Sequence, residues 1–147
     1  MKTLHFQIAT PEKVVFDAPK ASVITLPTKM GEITVLPDHL PLVSSLVAGE
    51  VRVTVGGQEV SMAVSGGFIE VRPGQVTVLA DTAERAEEID VKRAEEARQR
   101  AKMSVQAKHV EAEDYAGLAA KLERELARLK VARKHRERKP LSIRVEE

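Results

Sequence analysis

Arginines carry the chemistry that residue spacing concentrates in this chain. Asp90 and Arg93 stand one helical turn apart, and Arg100 follows two turns beyond Arg93 on the same face. Arg124 and Arg128 share a face of a second helical segment at i, i+4. If the two segments fold back on each other, three or more guanidinium groups converge on one place. A polyphosphate needs such a cluster, because each planar fork offers paired donors to phosphate oxygens. The same residues also fit ordinary pairs within a helix: Glu96 with Arg100, Glu95 with Arg98, Glu125 with Arg128. Surface pairs of that kind contribute about 0–1 kcal/mol each and are common. Spacing alone leaves both readings open.

A second charge feature lies further on, where Arg133, Lys134, Arg136, Arg138 and Lys139 crowd together. They form an electrostatic handle for an acidic partner. They equally suit a solvated helix end whose dipole favours cations. No catalytic constellation accompanies either feature. His5, His39, His109 and His135 are scattered without metal-ligand spacing. Asp38 and His39 are adjacent, which reads as a polar turn before it reads as a dyad. GxSxG, GxGxxG and Walker-type loops are absent, and Gly56-Gly57 and Gly66-Gly67 read as turns. The chain is expected to be non-catalytic and to need no cofactor.

The elements that must position these groups change character near residue 86. Before it, Leu4, Phe6 and Ile8 alternate with polar neighbours, and Val51, Val53 and Val55 do the same up to Gly56-Gly57. Further short apolar runs lie at 14–16, 21–26, 33–36, 60–64, 68–71 and 76–79, set apart by Pro and Gly turns. This pattern predicts a flattened β-sandwich or barrel of about ten short strands over residues 1–86. From Glu87 the period becomes helical. Ala94, Ala97 and Ala101 form one stripe, and Leu118, Leu122, Leu126 and Leu129 form another. An antiparallel two-helix hairpin is therefore expected over 87–138, broken around 106–114 with Asp114 as an N-cap, and followed by a tail at 139–147. Alanine contacts bury little area, so the hairpin is expected to be lightly held.

Composition narrows the function classes. The hydrophobic fraction is 43%, Cys is absent, and aromatic residues amount to one Tyr and three Phe. Disulfides, thiolate metal sites and base-stacking platforms are thereby disfavoured. Net charge is +1, with seven Lys/Arg against nine Asp/Glu in residues 1–86 and 16 against 13 in residues 87–147. That balance argues against a nucleic-acid partner. No apolar run approaches the ~20 residues that cross a bilayer, and the opening alternates as a strand instead of a signal peptide, so a soluble, cytosolic protein is expected.

Four segments, in order and at matching spacing, resemble one family. Gly31-Glu-Ile-Thr-Val-Leu-Pro-Asp-His39-Leu-Pro-Leu42 resembles the signature loop of the epsilon subunit of F-type ATP synthases. Ser65-Gly-Gly-Phe-Ile-Glu-Val71 and Val76-Thr-Val-Leu-Ala-Asp-Thr-Ala-Glu84 look like its late sandwich strands, and Ile89-Asp90-Val-Lys-Arg93-Ala94 like its opening helical motif. The likeness covers residues 1 to about 138 and departs at Thr34 and Asp38, where glycines are usual.

The resemblance implies a non-catalytic rotor subunit of the central stalk. Its sandwich would grip the gamma subunit and sit on the c-subunit ring. The arm would lie compact, or extend to the catalytic alpha and beta subunits and block ATP hydrolysis. Met30, Gly31, Glu32 and His39 match the ring-facing region. Glu84, Asp90, Arg93, Ala94, Arg100, Arg124 and Arg128 match a site that holds ATP as a regulatory ligand in some bacterial members. Arg133, Lys134, Arg136 and Arg138 would meet the catalytic subunits. The implied location is peripheral, on the cytoplasmic face of a bacterial inner membrane. The alternative that the residues themselves support is a stand-alone nucleotide- or nucleic-acid-binding module using the basic arm.

Overall fold

A computed structural model describes residues 1–107 and 112–138 of the chain. Seven strands come first: β1 (Leu4–Ala9), β2 (Val14–Thr28), β3 (Gly31–Val35), β4 (Leu42–Ser45), β5 (Gly49–Val55), β6 (Gln58–Arg72) and β7 (Gln75–Arg85). A 3-10 turn at Ala86–Glu88 leads to α1 (Val91–Gln106), and α2 (Ala112–Arg138) follows.

The strands run in the order β1-β7-β6-β5-β2-β3, and β1 also pairs with β2. Hence β1, β7, β6, β5 and β2 close a ring, with β3 flanking β2 and β4 flanking β6. Closure leaves few free edges, which suits a rigid platform. Alternation puts Leu4, Phe6, Ile8, Ile24, Leu26, Val51, Val53, Met62 and Ile69 into one largely aliphatic core, where the Phe6 and Phe16 rings lie 6.2 Å apart.

Seven strands form instead of about ten: the runs at 14–16 and 21–26 are one strand, those at 60–64 and 68–71 are another, and β4 lies outside the runs named. β2 passes through Pro19, pairing with β1 over Val14–Ala21 and with β5 and β3 beyond it. Pro19 falls at an irregularity in the register with β1, between the Phe6–Ala18 and Leu4–Ala21 pairs, where the lost ladder bond is tolerated. β6 passes through Gly66-Gly67 with its register to β7 unbroken, so the two glycines are a local backbone irregularity inside the strand and not a turn. Both glycines have positive φ, 60° and 114°, and Ser65 and Gly67 still pair with Thr82 and Ala80 of β7. Thr34 lies in a regular ladder opposite Thr25, and their hydroxyls meet at 3.2 Å. Asp38 takes the left-handed conformation at φ 66°, which Asp tolerates.

The helices form an antiparallel pair. Arg133 near the end of α2 meets Glu95 near the start of α1, and Leu118 and Lys121 line a groove with Ala101 and Ser104 of late α1. Asp90 caps α1 by accepting from the backbone N–H of Arg93 at 3.1 Å. α2 already runs through Asp114, so the cap expected at that residue is not there. The seam also differs from the leucine stripe predicted. Leu129 is buried, Leu118 and Leu122 are half-buried, and Leu126 is 45% exposed. Alanines and a carboxylate fill the remaining space: Ala94, Ala101, Ala127, Ala132 and Glu125 are all buried.

The arm is docked on the sandwich. Ala63 of β6 and Ala86 of the turn pack with Ile89, Ala94, Leu129, Val131 and Ala132 in a second, smaller apolar cluster. Among the described residues no helix is long and apolar enough to cross a membrane. The tail at 139–147, with Lys139, and His109 lie outside the described residues.

Candidate functional site

The arginine cluster is partly assembled, and around Glu125, which the spacing had given only as an ordinary surface partner of Arg128. Glu125 of α2 is 3% exposed. It accepts from Arg128 Nη1 at 2.7 Å and from Arg124 Nε at 3.3 Å. The rest of the Arg128 fork crosses to β7, where Nε donates to Glu84 Oε2 at 2.7 Å and Nη2 to Oε1 at 3.3 Å. Burial works to lower the Arg128 pKa, but the hydrogen bonds to Glu84 and Glu125 prevail and raise it above its ordinary value. A buried carboxylate one residue after an arginine and three before another was a readable signal, since it is satisfied only by such neighbours.

The other members of the predicted set divide. Arg100 and Arg124 line one groove of about 240 Å³ between the helices, joined by Lys121, Ala97 and Ser104. Arg93 is exposed, Asp90 is committed to its cap, and Ala94 is fully buried. Geometry thus brings Glu84, Arg124 and Arg128 together and adds Arg100 through the groove. It does not bring Asp90, Arg93 or Ala94 to that place. Of the three intrahelical pairs considered, Glu125 with Arg128 forms, whereas Glu95 pairs across to Arg133 at 2.9 Å.

The basic end of α2 is engaged by acids of its own chain. Lys134 Nζ meets Glu50 of β5 at 2.5 Å, Arg138 pairs with Glu59 of β6, and Arg133 with Glu95 of α1. Arg136 is exposed. Burial works to raise the Glu50 pKa, and the hydrogen bonds from Lys134 and Arg52 outweigh it, holding the carboxyl below its ordinary value. These cations therefore serve the docked arm before they serve any partner.

The predicted ring-facing residues lie on the β2–β3 turn and the loop after β3. Met30 is 96% exposed at the turn tip, beside Gly31 with φ 107°. Glu32 is drawn sideways to Arg52 Nη2 at 2.5 Å. Leu36 and Leu40 are exposed nearby. Asp38 and His39 face different partners: Asp38 binds Lys2 at 2.6 Å, and His39 Nδ1 donates to the Leu40 carbonyl at 2.7 Å. No dyad forms between them.

Comparison with known proteins places this architecture. The model of the ATP synthase Delta/Epsilon chain beta-sandwich domain matches residues 3–86, and that of its long alpha-helix domain matches residues 87–133. The ATP synthase epsilon chain of Dehalococcoides mccartyi is 48% identical over 136 residues, covering 92% of this chain and 96% of that protein. The chain belongs to the ATP synthase epsilon chain family. Epsilon chains of Moorella thermoacetica and Chloroflexus aggregans are 47% and 43% identical over 133 residues, covering 90% of this chain and 98% and 94% of theirs. Among solved structures, a chain of the Euglena gracilis mitochondrial ATP synthase OSCP/F1/c-ring assembly is similar at 25% identity with a TM-score of 0.73. The likeness covers 84% of this chain and 77% of that one. A chain of the Tetrahymena thermophila ATP synthase central stalk and c-ring shares the fold at 13% identity and a TM-score of 0.58, covering 90% of this chain and 99% of that one. An epsilon chain is a non-catalytic subunit of ATP synthase, so the interest of this one lies in its contacts.

Proposed function

We propose that this epsilon chain couples the gamma subunit to the c-subunit ring in the central stalk during ATP synthesis. We propose also that its helical arm restrains ATP hydrolysis when it leaves the sandwich for the catalytic alpha and beta subunits. The observation that carries this reading is how the arm is held. Alanine-rich packing contributes modest area, and named ion pairs to Glu84, Glu50 and Glu59 supply the specificity. A second protein with acidic loops competes for those cations on equal terms. The neighbouring central-stalk and c-ring assemblies support the seat on the ring, with Met30, Gly31, Glu32 and His39 as the contact. A peripheral position on the cytoplasmic face of a bacterial inner membrane follows from that seat.

ATP is proposed as a regulatory ligand of the compact arm. The donor set suits a phosphate chain, because Arg100, Lys121 and Arg124 present cations to one groove. Glu84 and Arg128 contribute by holding α2 against β7, which keeps that groove formed. Co-purification tests the stalk reading: the full chain mixed with gamma and detergent-solubilised c-ring should elute with them as one complex. Separate elution at low and moderate salt would reject it.

A further inference from the structure

Four charges of alternating sign run from the β2–β3 turn to the last turns of α2. Arg52 of β5 donates through Nη2 to Glu32 of β3 at 2.5 Å and through Nη1 to Glu50 at 3.1 Å. Glu50 takes Lys134 of α2 at 2.5 Å. Exposure is 54% for the Glu32 side chain, lowest at 11% for that of Glu50, and 33% for that of Lys134. Glu50 Oε1 is buried without a hydrogen-bond partner among the described residues. Burial works to raise the pKa of this carboxyl, and Lys134 first, then Arg52 and the Ser61 hydroxyl, outweigh it. All four residues line one groove between α2 and the sandwich.

We infer that Arg52 is the positioning residue of a charge relay that couples the β2–β3 turn to the docking of α2. Arg52 is shared between two carboxylates. While Glu32 holds one arm of its fork, Glu50 keeps charge to spare for Lys134. When Glu32 is neutralised, or drawn off by a cation on a partner, Arg52 turns wholly to Glu50. Its positive charge is then unbalanced and also repels Lys134. Docking of α2 weakens as a result. Linkage requires the converse: when Lys134 departs, Glu50 competes harder for Arg52 and Glu32 becomes freer to bind. Engagement of the turn thus favours release of the arm. The physiological trigger rests on the proposed seat of the turn on the ring, but the coupling is a property of the chain alone.

A double-mutant cycle on the full-length chain tests it. Hydrogen exchange of the amides in residues 126–138 is measured for the unaltered chain, Glu32→Gln, Lys134→Gln and the double variant, with β7 amides as the control for an intact sandwich. Lys134→Gln should lower α2 protection about fivefold and Glu32→Gln about threefold, while the double variant matches Lys134→Gln alone. The Glu32→Gln loss should vanish in ~1 M salt, where the Debye length is about 3 Å. Unchanged α2 protection in Glu32→Gln, or losses that multiply in the double variant, would overturn the relay. Binding of Glu32→Gln to the isolated c-ring separates the two readings. Lost binding with no coupling ends the relay and keeps the seat, and coupling with normal binding does the opposite.

Discussion

Arg128 on α2 grips Glu84 on β7 through Nε at 2.7 Å and Nη2 at 3.3 Å, joining positions 44 residues apart in sequence. The remaining Nη1 reaches Glu125 at 2.7 Å. One guanidinium thus satisfies a buried carboxylate within the arm and fastens the arm to the sandwich. The two partners have unequal alternatives, and that inequality makes the bridge testable.

Glu84→Gln keeps the shape of the bridge and removes one charge from a half-buried pair, so the docked arm should lose about 1 kcal/mol. Arg128→Ala leaves Glu125, 3% exposed, with Arg124 as its remaining partner at 3.3 Å. An under-compensated buried charge is far more costly, about 3 kcal/mol. Hydrogen exchange of α2 should rank the variants in that order, with β1 and β7 unaffected.

Acid should release the arm before it unfolds the sandwich. The Glu50 carboxyl is held below its ordinary value of 4.5 in the folded chain. A depressed folded pKa contributes stability above the unfolded value, and that contribution is lost as pH falls through the folded one. Protection of α2 should therefore stay level around neutrality and decline once pH drops below 4.5. Glu50→Gln should remove most of that decline, as followed by exchange at matched intrinsic rates.

β6 should tolerate no side chain at Gly67. Its φ is 114°, and an added Cβ would lie 2.0 Å from the Leu79 carbonyl oxygen and 2.9 Å from the Ala80 Cα. Those are backbone atoms of the paired strand and cannot turn aside. Gly67→Ala should cost at least about 2 kcal/mol in urea unfolding of the sandwich. Gly56→Asn, at φ 58° with nothing within 4 Å, should cost well under 1 kcal/mol.

Titration of the full chain with ATP by calorimetry should give saturable binding, weakened by Arg100→Ala and Arg124→Ala alike, since both line the inter-helix groove. Asp90→Ala should act differently, by loosening the cap of α1 at a cost of about 1 kcal/mol. No heat at millimolar ATP would remove the ligand from the account and leave the ion-pair latch intact.

Local rules made much of this chain legible. Leu4, Phe6, Ile8, Val51 and Val53 alternate, and all of them are buried. The helical stripe at Ala94 and Ala101 faces inward as its spacing predicts. What escaped was set by tertiary pairing. Pro19 and Gly66-Gly67 look like breaks, yet the strands continue because one neighbour, β1 at Pro19 and β7 at Gly66-Gly67, pairs with residues on both sides. β4 was missed because Leu42–Ser45 lies just after Pro41 and offers only four residues with no buried member. Glu50 was passed over because its value lies in Lys134 of another element, which no spacing rule can supply, whereas the Glu125–Arg128 spacing was readable and only the burial of Glu125 was not. The leucine at 126 fitted its stripe and still faces outward, since alanines and Glu125 had already closed the seam.

The central claim is that the basic end of α2 is borrowed from the sandwich by the catalytic subunits. ATP hydrolysis by the assembled complex tests this most directly, comparing the full chain with one that stops after Ala132. The truncated chain keeps Leu129 and Val131 but loses Arg133, Lys134, Arg136 and Arg138. The account predicts faster hydrolysis with the truncated chain at low ATP and a smaller difference at high ATP. Equal rates at every ATP concentration would contradict it.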